Sequence, residues 1–385
     1  MSVNRILGQI LSQFCIFPEL NRVYSELFSN QGGEFFAVPK AALPDELANK
    51  GENDIIEYYL KRNTRVIPLS ILSTSKNGDQ FYYMAEEEAA LVQPDSSAKL
   101  TGVKVDINEN YWLRQRNIII LGHNSKIREI MFGFESFRGE WNYKDEREII
   151  NIMVIDDSKS LDRLDHYRDY SYVNEVVEAE YYETDKIKMA INRFIDANEE
   201  DTSILILSDD QVQEKDVDSY ALTNLIYVQD IIFERIKADP DYDTDRIDII
   251  VEILNPKNYD VVHNYNIDNI VISNRYISKM VTQIGEKIEL YEFYKDILTY
   301  DTDQTVFDSK EVYAKSAKCF LNKLPGPCTA AELIRGIYEA SPKDNKSLLM
   351  GIAHPHGETE LFKGNQMNRT IILTEKDKLI MYSNH

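Results

Sequence analysis

Three residues that follow a short apolar run, Gly122, His123 and Asn124, are the first in this chain whose types and positions suggest ligand chemistry. Glycine permits the tight turn through which a buried strand of a nucleotide-binding unit enters a helix. The pyrophosphate-binding pattern G-x-G-x-x-G needs two more glycines, but this sequence has Asn124 and Ile127 at those positions. Because side chains there hold the backbone away from a pyrophosphate, we predict a sensing site rather than a catalytic one. His123 and Asn124 either contact a ligand or cap the following helix.

Acidic residues follow two later apolar runs, at the points where strands of a parallel sheet would end. Asp156 and Asp157 follow the first of these runs. An acid at the end of a second strand holds the ribose diol in nucleotide-binding proteins, and Asp156 fits that place; the alternative is a loop acid without a ligand. Ser208, Asp209 and Asp210 follow the other run. They either bind a cation or the edge of a nucleotide, or they cap the next helix.

Glu252 lies inside an apolar run, residues 247–254, that predicts a buried strand. A buried carboxylate needs a partner, because moving an unpaired charge out of water is costly. A salt bridge to a basic residue would meet that need, and so would a metal ion or a role at an interface. Together with Asp209 and Asp210, Glu252 is therefore a candidate metal ligand, with Ca²⁺ as the cation that carboxylates suit.

Strands and helices alternate through the middle third of the chain. Runs rich in β-branched residues predict strands, and apolar residues at helical spacing predict helices between them. This alternation is typical of βαβ units in a Rossmann-like parallel sheet, which would bring the polar strand ends to one edge. The predicted strands are residues 117–121, 149–155, 174–179, 203–207, 247–254 and 269–272, and the predicted helices are residues 127–137, 184–197, 219–237 and 275–284.

A weak internal repeat flanks this unit. Residues 20–36 resemble residues 290–306, since each segment has an amphipathic helix, a polar turn and strand-forming residues. A second helix and further strands follow in both copies, and the later helix starts at a capping box of Thr329 and Glu332. The predicted fold class is α/β, with a Rossmann-like parallel sheet domain flanked by two small α+β modules.

Composition and motifs exclude several classes of protein. A formal net charge of −22 argues against nucleic-acid binding, which requires basic surfaces. The sequence has no apolar run long enough for a transmembrane helix and no secretory signal. Cys15, Cys319 and Cys328 lack metal-binding spacing and indicate reduced thiols. The motifs of serine hydrolases, P-loop proteins and zinc peptidases are absent, so we expect no catalytic residues and a protein that is not an enzyme.

Several segments carry a resemblance to a known family, the regulator of K⁺ conductance (TrkA-type) domains of ion channels and transporters. More specifically, the chain resembles the cytosolic region of Castor/Pollux-like ion channels over residues 115–385, and more weakly before them. The segments are IILGHNSK (119–126), ILSDD (206–210), VEILNPKN (251–258), DNIVISNRYISKMVTQI (268–284), CTAAELIRGIYEAS (328–341) and DKLIMYSNH (377–385).

The resemblance implies a domain organisation. Residues 1–110 would be the C-lobe of a first, truncated domain with its leading crossover helix. Residues 111–285 would be the Rossmann-like N-lobe and crossover helix of a second domain, and residues 286–385 its C-lobe. Because the chain has no pore helices and residues 3–17 would begin in mid-domain, we expect an excised cytosolic fragment, with a separate membrane subunit as the alternative.

The resemblance also implies partners, ligands and a location. Such domains pair through their crossover helices, and four subunits with two domains each form a gating ring at the cytoplasmic face of a membrane pore. The implied ligand is Ca²⁺ or a nucleotide such as NAD(H), ATP or ADP, and the conducted ion is K⁺ or another cation. Two alternatives remain, a nucleotide-dependent Rossmann oxidoreductase and a stand-alone TrkA-like regulatory subunit of a K⁺ transporter.

Overall fold

The computed structural model divides into two compact units. The first comprises Met1–Asn21 and Leu113–Ile277, and the second comprises Arg22–Trp112 and Ser278–His385. Asp268 and His385, which belong to segments that carry the resemblance, lie outside the described residues. The structure describes residues 3–28, 34–62, 65–74, 78–91, 101–108, 111, 115–142, 149–157, 161–211, 217–265, 267, 269–298, 310–355 and 358–384.

The helices and strands are numbered in chain order. The helices are α1 (Val3–Ile16), α2 (Leu20–Leu27), α3 (Glu52–Arg62), α4 (Ile127–Asn142), α5 (Leu161–Arg168), α6 (Thr184–Asp196), α7 (Ser219–Ala238), α8 (Tyr259–His263), α9 (Ser273–Glu286), α10 (Leu290–Leu298), α11 (Ala317–Phe320) and α12 (Ala330–Ala340). The strands are β1 (Glu34–Pro39), β2 (Val66–Thr74), β3 (Gly78–Ala85), β4 (Asp106–Ile107), β5 (Arg116–Leu121), β6 (Ile150–Asp156), β7 (Val173–Glu178), β8 (Thr202–Ile206), β9 (Ile247–Ile253), β10 (Asn269–Ile272), β11 (Glu311–Ser316), β12 (Leu321–Lys323), β13 (Cys328–Thr329), β14 (Leu348–Ala353), β15 (Thr359–Leu361), β16 (Thr370–Ile371) and β17 (Lys378–Ser383).

The first unit contains a six-stranded parallel sheet with the order β7-β6-β5-β8-β9-β10. Counted along the chain from β5, this order is 3-2-1-4-5-6, which is that of a Rossmann-type sheet. Strand β5 lies between β6 and β8, with Leu121 in register with Ile155 and Ile206. Because the chain winds in opposite directions from this centre, a crevice opens at the carboxyl ends of β5 and β8. The predicted parallel sheet and all six of its strands are confirmed.

These strands form because their residues are apolar and largely β-branched, and because helices cover them. Every residue of β5, β6 and β8 is buried. The core includes Ile119 and Ile204 of the sheet, packed with Ile191 of α6 and with Leu225 and Val228 of α7. Helices α5 and α8 occupy segments in which the sequence patterns predicted no element, because each is short.

Helix α1 packs on α4 and β8 of the first unit. A Cβ atom added to Gly8 would lie 2.5 Å from Cβ of Glu129, so the two helices approach closely at this glycine. Ser203 Oγ donates a hydrogen bond of 2.6 Å to the carbonyl oxygen of Cys15. The leading crossover helix that the resemblance implies corresponds in position to α1, which belongs to the same compact unit as the parallel sheet.

The second unit contains two antiparallel sheets built in a similar order. In the first, β3 lies between β1 and β2, and α3 connects β1 to β2. In the second, β17 lies between β11 and β14, α12 precedes β14, and β15 extends the edge. In each sheet the last strand of the chain thus lies between two earlier strands.

The two halves of the second unit share one aromatic core. Phe293 of α10 stacks on Tyr82 of β3 at 4.9 Å between ring centroids, and it meets Phe35 of β1 edge to face at 4.7 Å. Tyr382 of β17 donates to Ser70 Oγ of β2 at 3.0 Å. Residues from both ends of the sequence are therefore buried against each other.

Helix α12 begins at the capping box predicted from its sequence, and the structure confirms this prediction. Glu332 N donates to Thr329 Oγ1 at 3.2 Å, and Thr329 N donates to Glu332 Oε2 at 2.8 Å.

None of the helices among the described residues is both long and apolar enough to cross a membrane.

Candidate ligand site

A cavity of about 260 Å³ opens in the first unit at the carboxyl ends of β5, β6 and β8. We call it the switch-point cavity, because it lies where the strand order reverses, the usual ligand position in open α/β sheets. Its wall is partly apolar and partly polar, with an acidic group of side chains. It is lined by Leu121, Gly122, His123, Ile155, Asp156, Asp157, Ala179, Tyr181, Ile187, Leu207, Asp209, Gln211, Tyr220 and Asn224.

Gly122 makes the turn that leads from β5 into this cavity. Its φ of +90° lies in the region that glycine adopts without strain. A Cβ atom there would lie 3.1 Å from the carbonyl oxygen of Leu207, and the Gly122 amide donates to the Ile155 carbonyl at 3.0 Å. The turn therefore requires a glycine irrespective of any ligand.

His123 and Asp156 meet at one side of the cavity, together with a tyrosine from α5. His123 Nδ1 lies 2.6 Å from the Tyr167 hydroxyl and 3.6 Å from Asp156 Oδ2. The Tyr167 hydroxyl lies 3.5 Å from the same carboxylate oxygen. The structure thus brings His123 and Asp156 together, and it adds Tyr167, which the sequence reasoning missed because α5 was not predicted.

Two more carboxylates face the cavity from neighbouring strand ends. Asp157 follows Asp156, whose Oδ1 accepts a hydrogen bond of 2.9 Å from the Asp157 amide. Asp209 follows β8, and its Oδ1 accepts from the Gln211 amide at 2.9 Å. The structure therefore places Gly122, His123, Asp156, Asp157 and Asp209 around a single cavity, as their positions at strand ends predicted.

Asn124, Ser208 and Glu252 are buried beside the cavity and do not line it. Asn124 Nδ2 donates to Glu252 Oε2 at 2.6 Å and to the Ser208 carbonyl at 3.0 Å, while its Oδ1 accepts from the Lys126 amide at 3.0 Å. Asn124 therefore caps the start of α4, which is one of the two roles that the sequence left open for it. Ser208 Oγ lies 2.8 Å from the Glu252 carbonyl oxygen and 2.7 Å from Asp218 Oδ1, and it donates its single proton to one of these acceptors, so it does not cap α7.

Lys126 supplies the cation between two of the predicted metal ligands. Its Nζ lies 3.3 Å from Glu252 Oε1 and 3.6 Å from Asp210 Oδ2. Ser273 also donates to the Glu252 carboxylate. Within the described part of the chain, no three His, Cys, Asp or Glu side chains form a group that could hold a metal ion. Lys126 is thus the salt-bridge partner of Glu252. Asp209, Asp210 and Glu252 do not converge on a shared position.

Asp210 lies at the amino end of α4. Its carboxylate accepts hydrogen bonds from the Ser125 amide, at 3.0 Å to Oδ1, and from the Ser125 hydroxyl. A helix amino terminus carries partial positive charge and unpaired amides, and it is the place where a Rossmann-type unit binds pyrophosphate. In this chain a carboxylate of the protein itself occupies that position.

Burial dominates the electrostatics of Glu252. Removal from solvent raises the pKa of its carboxyl group, whereas Lys126 and the hydrogen bonds from Ser273 and Asn124 oppose that rise. The Lys126 side chain is only 4% exposed and that of Glu252 is fully buried. These groups act as internal supports of the strand ends rather than as ligand contacts.

Two further residues that sequence reasoning missed lie on or near α7. Asp218, which precedes the helix, accepts hydrogen bonds from the Leu254 and Asn255 amides at 2.9 and 3.0 Å, so it joins α7 to the end of β9. Asn224 lines the cavity and is only 7% exposed. Its signal in the sequence was a polar residue on the buried face of α7, next to Leu225.

No family model matches this chain, and no curated protein matches it either.

Proposed function

We propose that this chain is a ligand-sensing regulatory module, without enzymatic activity, of the kind that controls Castor/Pollux-like cation channels. The observation that carries the proposal is a cavity at the switch point of a Rossmann-like sheet whose phosphate position is taken by Asp210. Such a scaffold still presents its strand ends to a ligand, but it has replaced phosphate binding by an internal contact. The segments that resemble regulator of K⁺ conductance domains supply the channel context.

A ring contact between the two predicted crossover helices supports this proposal. Helix α9 is the predicted crossover helix of the second domain, and α1 is that of the first. Phe14 of α1 and Tyr276 of α9 are in ring contact at 5.9 Å between centroids. Tyr276 also donates to the carbonyl oxygen of Asn21, near the start of α2, at 3.0 Å. Contact between these helices is what the resemblance predicts for two domains that pair within a gating ring.

One observation favours the alternative of a nucleotide-dependent oxidoreductase. His123, Tyr167 and Asp156 form a cluster that could transfer a proton at the cavity. A nicotinamide cofactor, however, would place its pyrophosphate at the amino end of α4, where Asp210 and the Ser125 amide already form a hydrogen bond. We therefore prefer the sensing function.

The sensing mechanism would be differential binding. A ligand in the cavity would contact Asn224 of α7 and Asp156 of β6 at once, because both residues line it. It would then favour the conformation in which this helix and this strand end have their present spacing. The shift in the gating equilibrium equals the difference in the ligand's binding free energy for the two states.

The test is ligand-dependent stabilisation of the purified chain by Ca²⁺, Mg²⁺, NAD(H), ATP, ADP and adenosine. A ligand at about 100 times its dissociation constant adds about 2.7 kcal/mol to the free energy of unfolding. We expect Asp156→Asn and Asn224→Leu to reduce that gain. Asp241→Asn is the matched control, because Asp241 is exposed in the loop before β9, at the opposite edge of the sheet.

Activity and assembly are measured on the same preparations. We expect no turnover of a nicotinamide cofactor, and light scattering should show an oligomer that forms as the protein concentration rises. Turnover that Asp156→Asn abolishes would refute the regulatory proposal in favour of the oxidoreductase. A monomer at every concentration would contradict the gating ring.

A further inference from the structure

We infer that the ligand of the switch-point cavity is a small nucleoside without phosphate groups, of the adenosine type. This inference rests on the proposed sensing function, since it names the ligand class of the same site. It follows from the size of the cavity, the sign of its charge and one buried amide.

The size of the cavity limits the ligand. Its volume of about 260 Å³ is below the range of about 300–1,000 Å³ that is usual for pockets holding drug-sized molecules. A dinucleotide carries two nucleosides and a pyrophosphate, and it would extend along the amino end of α4. Asp210 and Ser125 are in contact at that end. One nucleoside fits the available space better than a dinucleotide does.

The charge of the described part of the cavity wall disfavours phosphate. Three carboxylates, those of Asp156, Asp157 and Asp209, line it. Among the residues that the structure describes, no lysine or arginine lines the cavity. Lys126, beside the cavity, lies in ion pairs with Glu252 and Asp210. A phosphate group here would meet carboxylates on one side. On the other side it would meet a helix terminus whose Ser125 amide already donates to Asp210.

The Asn224 amide points to a ligand with both a donor and an acceptor. Asn224 is more than nine-tenths buried and lines the cavity. No group in the described part of the chain forms a hydrogen bond with its side chain. Its amide atoms are not among the fully buried side-chain atoms that lack a partner, so they face the open cavity and are available to a ligand. An asparagine amide pairs bidentately with the amino group and ring nitrogen of adenine.

The remaining walls match the other parts of a nucleoside. Ile155, Ala179 and Leu207 form apolar surface, and Tyr181 and Tyr220 are in edge-to-face contact at 4.9 Å between centroids. Apolar and aromatic surface of this kind suits a heteroaromatic base. At the end of β6, Asp156 occupies the place of the acid that holds a ribose diol in Rossmann-type sites.

Calorimetric titration of the full chain with adenosine, AMP, ATP and NAD tests the inference. We expect adenosine to bind and the three phosphate-bearing compounds to bind at least about tenfold more weakly, because each meets the carboxylates. Asn224→Leu and Asp156→Asn should each weaken adenosine binding by about 10- to 100-fold. Asp241→Asn should leave it unchanged.

A gain-of-function variant adds a test that does not depend on lost binding. Asp210→Gly removes the carboxylate from the amino end of α4 and leaves the Ser125 amide and Lys126 to meet a phosphate. We expect this variant to bind AMP at least about tenfold more tightly than the natural protein does. The unfolding midpoint without ligand verifies that each variant is folded, and Asp210→Asn, which removes only the charge, should give a smaller gain.

The outcomes separate the ligand class from the sensing function. Tighter binding of AMP, ATP or NAD than of adenosine would overturn the inference and leave the sensing function standing. Adenosine binding that neither cavity variant weakens, or no adenosine binding, would also overturn it. If adenosine binds as expected but a nicotinamide cofactor is turned over, the inference stands and the regulatory function fails.

Discussion

Lys126 and Glu252 form an ion pair that is almost entirely removed from solvent. Lys126 Nζ lies 3.3 Å from Glu252 Oε1, and the two side chains are 4% and 0% exposed. Asn124 and Ser273 donate hydrogen bonds to the same carboxylate. Lys126 and Asn124 follow β5, Ser273 follows β10, and Glu252 lies in β9. The ion pair and its hydrogen bonds therefore join the carboxyl ends of three strands beside the cavity.

Removal of the lysine should strongly destabilise the first unit. Lys126→Met leaves a buried carboxylate without its cation, and the loss of one member of a buried pair typically costs about 3–5 kcal/mol. We expect a loss of this size in the free energy of unfolding, measured by urea denaturation at neutral pH. The double variant Lys126→Met, Glu252→Gln should recover part of it, because the charge left behind is also removed.

A surface pair provides the comparison for this prediction. Lys61 and Glu57 form an exposed pair on α3, so Lys61→Met should cost no more than about 0.5 kcal/mol. If Lys126→Met cost as little as Lys61→Met, the buried pair would have no role in holding the strand ends.

The Glu252 carboxyl group should also impose a pH dependence on stability. Burial raises its pKa above the ordinary value of 4.5, so the folded protein holds this proton more tightly than the unfolded chain. Its contribution to stability is therefore complete below that ordinary value and is lost as the pH rises through the folded pKa. As the pH rises from 4.5 through the folded pKa, the free energy of unfolding of the natural protein should fall relative to that of Glu252→Gln, as measured by urea denaturation at a series of pH values. A rise of the natural protein's stability relative to Glu252→Gln over the same pH range would contradict the raised pKa.

Signals carried by neighbouring residues in the sequence were sufficient to predict much of the fold. The β-branched run before Gly122 predicted β5 and its turn, because a buried strand and a glycine with positive φ are local requirements. A capping box needs only two suitable residues three positions apart, as Thr329 and Glu332 are, so the start of α12 was also predictable.

Contacts between distant segments could not be predicted in the same way. The burial of Glu252 implied a partner, but nothing local identified Lys126, because the pair exists only when β5 and β9 lie in one sheet. The same holds for Asp210, whose predicted role was a cation site or a cap of the next helix. It instead contacts the start of α4, which follows a neighbouring strand that is distant in the sequence.

The position of α1 depends on a close approach at Gly8, which gives a second stability prediction. A Cβ atom there would lie 2.5 Å from Cβ and 2.8 Å from the carbonyl carbon of Glu129. Gly8→Ala should therefore force α1 away from α4 and lower the free energy of unfolding by about 1–3 kcal/mol. Thermal or urea denaturation of the chain measures this loss.

Gly139 is a matched control in the partner helix. Among the described residues, no atom beyond the nearby backbone of its own helix lies within 4 Å of a Cβ atom built on it, so Gly139→Ala should stabilise α4 by about 0.5–1 kcal/mol. Equal effects of Gly8→Ala and Gly139→Ala would show that α1 does not pack on α4 in this way.

The three thiols should differ in reactivity. Cys15 is fully buried, and burial raises the pKa of its thiol far above the ordinary value. Cys328 is also buried, with its pKa raised by burial and by Glu332, whereas Cys319 is partly exposed. Mass spectrometry after alkylation should find Cys319 modified first and Cys15 only after unfolding, since the thiolate is the reactive form. Early modification of Cys15 would contradict the packing of α1.

The capping box at the start of α12 gives a prediction for the second unit. Thr329→Ala removes the oxygen that accepts from the Glu332 amide, which should lower the free energy of unfolding by about 1 kcal/mol. Thr329→Ser keeps that oxygen and should cost less. The hydrogen bonds from Thr329 lower the pKa of Glu332, so the box contributes fully above the ordinary pKa of that group and is lost as the pH falls through the lowered value. The gap between the natural protein and Thr329→Ala in urea denaturation should therefore narrow in acid, and a gap that widened there would refute this account.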